Sequence, residues 1–283
     1  MLKRRNRVKI TRITQQKNDK ERYNLYLDGD FWLGVDESVL VKFALFKDIF
    51  ISDSTKQEVE DYEYRNKYYH KALKFLGSRM KSTQEVACYL SKHIQMADNF
   101  MTEEQVIAWV IEKLSQQGYL NDLEYAKAFV RHQARIQQIG PKKIEQQLYQ
   151  KGIDKETLLV SLEEYSQDQI TENLEKTIQK YLKKHTTVAQ RLLKTKLYQH
   201  LNHKGFTQEH ISQVNLENFI DRDAETEQEI LNQDMQKIHR KFEKKYAEYE
   251  LYQKVVQAGM RKGHNYEAIQ AWMNKKEEMN DDE

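Results

Sequence analysis

Leu148-Tyr149-Gln150-Lys151-Gly152-Ile153-Asp154 reads as the end of one helix and the beginning of the next. Glycine after Lys151 supplies the left-handed residue that stops a helix, and Asp154 brings a side chain able to cap the one that follows. The same Lys-Gly stop recurs at Lys204-Gly205 and Lys262-Gly263, at intervals of roughly 50 to 60 residues, and Lys92-His93 falls where a further one would stand. Upstream of the stops lie similar helical stretches: Ala72-Leu73-Lys74-Phe75-Leu76, Ala126-Lys127-Ala128-Phe129-Val130 and Thr177-Ile178-Gln179-Lys180-Tyr181-Leu182. Downstream come Thr102–Gln117, Asp154–Tyr165 and Thr207–Phe219, each patterned as one more helix. Each unit should therefore contain three short helices. Four units occupy 61–118, 119–168, 169–222 and 223–283, the last diverged as a terminal cap often is. The expected fold is mainly α: tandem three-helix repeats forming an elongated, curved array.

Residues 1–60 read differently. Lys9–Gln16 and Arg22–Leu27 alternate as strands, Asp28-Gly29 is a hairpin turn, and Phe31–Val35 returns as a third strand. Asp36 opens a short helix to Leu45, so a small β-module precedes the repeats. Within the repeats, Ser82-Thr83-Gln84-Glu85 and Thr102-Glu103-Glu104-Gln105 are capping boxes. Gly140-Pro141 gives a stop followed by a start, and Asp122, Asp154 and Thr207 are expected N-caps.

Composition agrees with thin helical layers. Hydrophobic residues make up 39% of the chain and charged ones 32%, polar for a compact domain but usual where every layer has a solvent face. One proline and nine glycines suit long helices with few irregular loops. A single cysteine excludes an internal disulfide framework. No apolar run approaches the roughly 20 residues that span a bilayer, and Met1 to Arg12 is basic without an apolar stretch behind it. No membrane association and a cytoplasmic location are expected.

Net charge is only +2, so affinity for an anionic partner has to come from where charge sits. The chain is free of acids between Glu63 and Glu85, where Arg65, Lys67, Lys71, Lys74, Arg79 and Lys81 stand. It is acid-free again between Glu124 and Glu145, with Lys127, Arg131, Arg135, Lys142 and Lys143. A third such block runs from Glu175 to Glu209 and holds Lys176, Lys180, Lys183, Lys184, Arg191, Lys194, Lys196 and Lys204. Acids gather in the third helices instead. Stacked units would align the basic parts into a stripe suited to a phosphate backbone or an acidic protein groove. Against this stands the ordinary role of lysines near helix ends, which complement the helix dipole and solvate a face. The fourth unit mixes Lys237, Arg240 and Lys241 with Glu243, Glu248 and Glu250, so the stripe should fade there. Lys3, Arg4, Arg5, Arg7, Lys9 and Arg12 form a second basic patch or a solubilising arm.

Catalytic signatures do not emerge. No glycine cluster precedes Lys-Ser or Lys-Thr at phosphate-loop spacing. Cys88, flanked by Val86, Ala87 and Leu90, reads as a core residue, since no activating base is evident. His200 and His203 are spaced to share a metal, but a third ligand is not apparent. Tyr68, Tyr69, Tyr119 and Tyr125 fall at helical spacing beside apolar residues, which favours packing over base stacking. The expectation is a non-enzymatic binding protein with no cofactor and no metal.

With the units placed, the chain resembles the RecX family, regulators of the RecA recombinase. The resemblance is carried by Ala72-Leu73-Lys74-Phe75-Leu76-Gly77-Ser78-Arg79-Met80-Lys81-Ser82, then by Gly118-Tyr119-Leu120-Asn121-Asp122 with Tyr125-Ala126. It continues through Gly140-Pro141-Lys142-Lys143-Ile144 and Leu148-Tyr149-Gln150-Lys151-Gly152-Ile153. Lys92-His93 departs from the family's usual Lys-Gly. The β-module and a fourth unit look like the longer form found in Gram-positive bacteria. The resemblance implies a modulator lying in the groove of the RecA–DNA filament, altering filament growth, ATP hydrolysis and strand exchange. The basic positions within or beside the motifs, Arg79, Lys81, Arg131, Arg135, Lys142, Lys143 and Lys151, then become contact residues. Arg191, Lys194 and Lys196 extend the set, while Tyr119, Leu120, Tyr125 and Ala126 are read as packing. The partners implied are the RecA filament and single- or double-stranded DNA. An independent DNA-binding repeat protein and a helical adaptor, the latter suggested by the acidic tail Glu277, Glu278, Asp281, Asp282 and Glu283, are the alternative classes.

Overall fold

The computed structural model describes residues 7–77, 79–95 and 101–281. Lys3, Arg4 and Arg5 of the basic arm, Ser78 of the family motif, and Asp282 and Glu283 of the acidic tail lie outside the described residues, as do the side chains of Glu277, Glu278 and Asp281. Two compact units result, one reaching to Tyr125 and including Lys151–Ile153, the other formed by Ala126–Gln150 and the chain from Asp154 on.

The first unit opens on an antiparallel sheet of order β3-β2-β1-β4. Its strands are β1 (Arg7–Gln15), β2 (Arg22–Leu27), β3 (Asp30–Asp36) and β4 (Phe50–Ser52). Asp28 (φ 48°) and Gly29 (φ 105°) are both left-handed, as a two-residue hairpin turn requires. Asp36 caps α1 (Glu37–Lys42) by accepting from the Ser38 N–H, and Ser52 caps α2 (Asp53–Leu76). The sheet's inner face, Ile10, Leu25 and Val35, is buried with Val39 and Val59, so the N-terminal turns of α2 complete the β-module's core. The rest of α2 (Tyr68, Tyr69, Ala72) packs with α3 (Thr83–Ser91) and α4 (Glu103–Gln116) around Val86, Leu90, Val106, Val110 and Leu114. The capping boxes at Ser82 and Thr102 are both formed.

The chain enters the second unit within α5 (Asp122–His132), which passes into a π-helical turn, Gln133–Gln137, and ends at left-handed Gln138 (φ 52°). Then follow α6 (Pro141–Gln150), α7 (Lys155–Leu162), α8 (Gln167–Lys184), α9 (Gln190–His203), α10 (Gln208–Ser212) and α11 (Glu217–Ile220). Finally α12 (Ala224–Phe242), α13 (Glu248–Arg261) and α14 (Tyr266–Asp281) enclose Leu231, Met235, Val255, Ile269 and Met273. No strand interrupts the described residues after Ser52. No helix among the described residues is long and apolar enough to cross a membrane.

The recurrent Lys-Gly turns have a shared packing role. Gly205 (φ 90°) stops α9 and lies against the start of α6: the Gly140 N–H donates to the Lys204 carbonyl at 2.8 Å and the Lys142 N–H to the Gly205 carbonyl at 3.2 Å. Gly263 similarly abuts Leu192 at the start of α9, and Gly152 abuts Gln84 at the start of α3, where the Ser82 hydroxyl donates to the Lys151 carbonyl at 2.8 Å. Each glycine is thus followed by a buried anchor, Ile153, Phe206 or His264. His264 is the polar exception and faces Asp234 at 3.1 Å.

Several expectations are corrected. Asp122 is not an N-cap: Asn121 takes that place, accepting from the Glu124 N–H, while Asp122 is the first helical residue and accepts from the Thr83 N–H. Thr207–Phe219 is not one helix but two, α10 and α11. The short helix opened by Asp36 stops at Lys42, before left-handed Ala44. At Lys92-His93 the N–H groups of His93 and Ile94 both reach the Leu90 carbonyl, which ends α3 without glycine. Tyr119 is 57% exposed, so it does not belong to the packing that holds Leu120, Tyr125 and Ala126. Cys88 is exposed rather than core, because Val86 and Leu90 one turn apart face inward and the residue between them faces out. A thiol reagent is expected to modify Cys88 in the native protein as completely as in denaturant; native-state protection would return it to the core.

Candidate functional site

The basic positions divide into those engaged within the fold and those left to solvent. Lys81 is buried, with Nζ 4.5 Å from the centre of the Phe75 ring, which corrects its expected place on a contact surface. Lys151 places Nζ 2.9 Å from Glu85 Oε1. Burial works against its charge, but Glu85 and the Tyr125 hydroxyl outweigh it and hold the Lys151 pKa above its ordinary value. Arg131 pairs with Glu164 at 2.9 Å, Lys194 with Glu217 at 2.7 Å, and Lys143 donates to the His203 carbonyl at 3.2 Å.

Arg79, Arg135, Lys142, Arg191 and Lys196 are exposed and have no acidic partner within ion-pair distance among the described residues. Lys142 and Arg191 occupy equivalent sites. The buried pairs Ile144/Leu148 in α6 and Leu193/Leu197 in α9 fix the same helical register, and each cation stands two residues before the first of the pair. Neither helix has an acid in its first turn. That arrangement opposes the helix dipole, which favours anions at an N-terminus and makes a cation there unfavourable by about 0.3–1 kcal/mol. The neighbouring helices follow the ordinary rule, with Glu85 in α3, Glu156 in α7 and Asp168 in α8. Helix stability therefore does not explain Lys142 and Arg191. The first turn of α13 holds Glu250 instead of an unpaired cation.

A β-module joined to successive three-helix units, with unpaired cations at the starts of α6 and α9, defines a helical-repeat protein. Comparison with known proteins makes the class specific. The RecX N-terminal domain matches residues 8–52, the second three-helix domain of RecX matches 121–158, and the third matches twice, at 167–214 and 225–273. The chain is 32% identical to regulatory protein RecX of Listeria welshimeri over 270 residues, covering 95% of this chain and 97% of that one. It is 32% identical to regulatory protein RecX of Oceanobacillus iheyensis over 266 residues, covering 92% and 95%. A crystal structure of regulatory protein RecX superposes with a TM-score of 0.64 at 27% identity, covering 72% of this chain and 97% of that chain. The chain belongs to the RecX family of regulatory proteins. The double match of the third domain makes the third and fourth units variants of one module, which explains why the Lys-Gly stop returns at Lys262-Gly263 despite the different charge.

Proposed function

We propose that this protein is a non-enzymatic modulator of the RecA recombinase. It binds the RecA–DNA filament in the cytoplasm and regulates filament growth, ATP hydrolysis and strand exchange. The observation that carries the reading is the pair of unpaired cations, Lys142 and Arg191, held against the helix dipole at equivalent places in successive units. Arg79, Arg135 and Lys196 supply further free charge. Lys143, Lys151, Arg131 and Lys194 position the helices and contribute contacts only by exchanging partners.

The test uses preformed filaments of RecA on single-stranded DNA. Wild-type protein is expected to co-sediment with them and to change their rate of ATP hydrolysis. The quadruple variant R135A/K142A/R191A/K196A should bind more weakly while keeping its helical spectrum, since surface substitutions of this kind shift stability by about 0.5 kcal/mol or less each. If all four side chains meet phosphates of the single strand, the slope of log affinity against log salt should flatten by roughly 3. A smaller change in slope with the same loss of affinity would assign the contacts to acidic groups of the recombinase. Equal binding by wild type and variant at every salt concentration would remove these residues from the site. Equal affinity of wild type for filament and for bare DNA would make it an independent DNA-binding protein instead.

A further inference from the structure

The third acid-free block folds back on itself. The last turns of α8 and α9 meet beside the π-helical turn that ends α5, leaving a cleft of about 430 Å³ within the second unit. Lys180, Lys184 and Lys204 line it together with His185 and His200, and no acidic residue is among the lining. Lys180 is tethered by donating to Gln138 Oε1 at 2.6 Å. Lys184 and Lys204 have no ion-pair partner among the described residues, and the His200 imidazole has no hydrogen-bond partner among them.

Two features of the cleft select its ligand. The first is the direction of the donors. Gln138 is left-handed (φ 52°), an uncommon conformation for a side-chain-bearing residue, and it carries its amide to the cleft. With its oxygen taken by Lys180, its NH₂ remains as a donor. His185 Nδ1 donates to the Tyr181 carbonyl at 2.8 Å, which leaves Nε2 as the atom available to a ligand. The second feature is the aromatic ring. Tyr181 already lies against both imidazoles, with ring centres 4.0 Å from His185 and 4.7 Å from His200. Its ring is therefore engaged, and the cleft offers charge and hydrogen bonds rather than a platform for a nucleobase.

Helix-end chemistry explains part of this charge. Lys183 and Lys184 close α8, and His200 and His203 close α9, as cations at C-termini should. It does not explain why Lys180, a turn earlier, and Gln138, from a different element, converge on the same space. The concentration of positive charge registers on His200. Burial first, then Lys204, His185, His203 and Lys184, hold its pKa below the ordinary imidazole value.

We infer that this cleft is a binding site for a single phosphate group, held by Lys180, Lys184 and Lys204 with the Gln138 amide. The inference goes beyond filament binding and does not rest on the identity of the protein partner. The phosphate has two chemical sources, the backbone of a nucleic acid or a free phosphate ion, and the experiment separates them.

The full chain is titrated with a fluorescent oligo-dT and, separately, with inorganic phosphate, while the ring-proton NMR signals of His185 and His200 are followed. K180Q/K184Q/K204Q is compared with K237Q/K244Q/K245Q, which removes the same charge from exposed positions in the fourth unit. If the backbone is the source, the control binds oligo-dT like wild type and the cleft variant loses about tenfold in affinity, the value of one charge-assisted hydrogen bond. Because the three lysines share one phosphate, the salt slope should flatten by only about 0.7. A fall of roughly 2 would mean three separate phosphates on an ordinary basic surface, and would overturn the inference. So would equal losses in the two triple variants. Movement of the two histidine signals with inorganic phosphate but not with oligo-dT would support the site and assign it to a free ion. No movement with either ligand would overturn it. K180R/K184R/K204R should retain binding; its failure, with Lys-to-Gln losses alone, would trace the effect to packing and overturn the assignment as well.

Discussion

Gly205→Ala is expected to destabilise the second unit by about 2–4 kcal/mol, lowering the melting temperature by roughly 5–15 °C. Two separate costs combine. At φ 90° a Cβ crowds its own backbone, worth about 1–2 kcal/mol. The new Cβ would also stand 2.5 Å from the Lys143 backbone nitrogen and 3.0 Å from the Gly140 carbonyl, and these are main-chain atoms that no rotamer change can move aside. The structure would have to separate the α9 stop from the start of α6, losing the Gly140-to-Lys204 and Lys142-to-Gly205 hydrogen bonds. Gly118→Ala is the internal control. Gly118 has φ 77°, but a Cβ there has nothing within 4 Å, so only the backbone cost of about 1–2 kcal/mol should appear. Denaturant titrations of the two variants measure the difference, and equal losses would show that the close approach carries no energy.

This packing also explains what the amino-acid pattern could and could not reveal. Lys-Gly repetition marks helix stops because left-handed geometry is local chemistry, and the same holds for Asp28-Gly29, the capping boxes at Ser82 and Thr102, and the caps Asp36, Asp154 and Thr207. The partner of each stop is a contact distant in sequence, Gly205 with Gly140 for example, and no local pattern announces it. Strand β4 was illegible for the same reason: Phe50-Ile51-Ser52 is too short to show alternation and exists because β1 pairs with it. Cys88 was misplaced because its apolar neighbours count for less than the helical period that turns it outward.

For the candidate site, acid-free blocks located the cations but not their partners. Arg131 finds Glu164 and Lys194 finds Glu217, acids belonging to neighbouring helices of the same blocks' surroundings. Lys81, in the segment after α2, finds the ring of Phe75 near the end of that helix. The candidate cations without an acidic partner among the described residues, Arg79, Arg135, Lys142, Arg191 and Lys196, differ from these in packing rather than in sequence context. The cleft lined by Lys180, Lys184 and Lys204 needed the fold as well, since Gln138 reaches it through a π-turn that carries no signature of its own.

Arg22→Ala is expected to cost about 2–3 kcal/mol at pH 7, and the loss should shrink as pH falls toward 4. Arg22 Nη2 lies 2.7 Å from Glu63 Oε1 and also donates to the Gly34 carbonyl, clamping β2 and β3 to α2. The Glu63 side chain is only 8% exposed, so deleting Arg22 leaves a carboxylate buried with little beyond the Asp36 N–H to hold it. The figure sits below that for a fully buried pair because Arg22 is 31% exposed. Glu63 already titrates above its ordinary value: burial raises its pKa, and the Arg22 hydrogen bond and charge only partly bring it back. Removing Arg22 raises it further. A carboxyl whose folded-state pKa exceeds its unfolded one takes up a proton more readily when folded. Its destabilising effect is therefore full above the folded pKa and is relieved as pH falls through that value toward the unfolded one. Other carboxylates titrate in the same range, Asp36 with a lowered pKa among them, so the quantity to follow is the difference between variant and wild type at each pH. Arg22→Ala combined with Glu63→Gln should flatten that difference, because the group left behind no longer carries charge. A deficit that stays constant from pH 7 to 4 in the single variant would mean that Arg22 acts through Gly34 and packing alone, and that the charge on Glu63 is not what the clamp opposes.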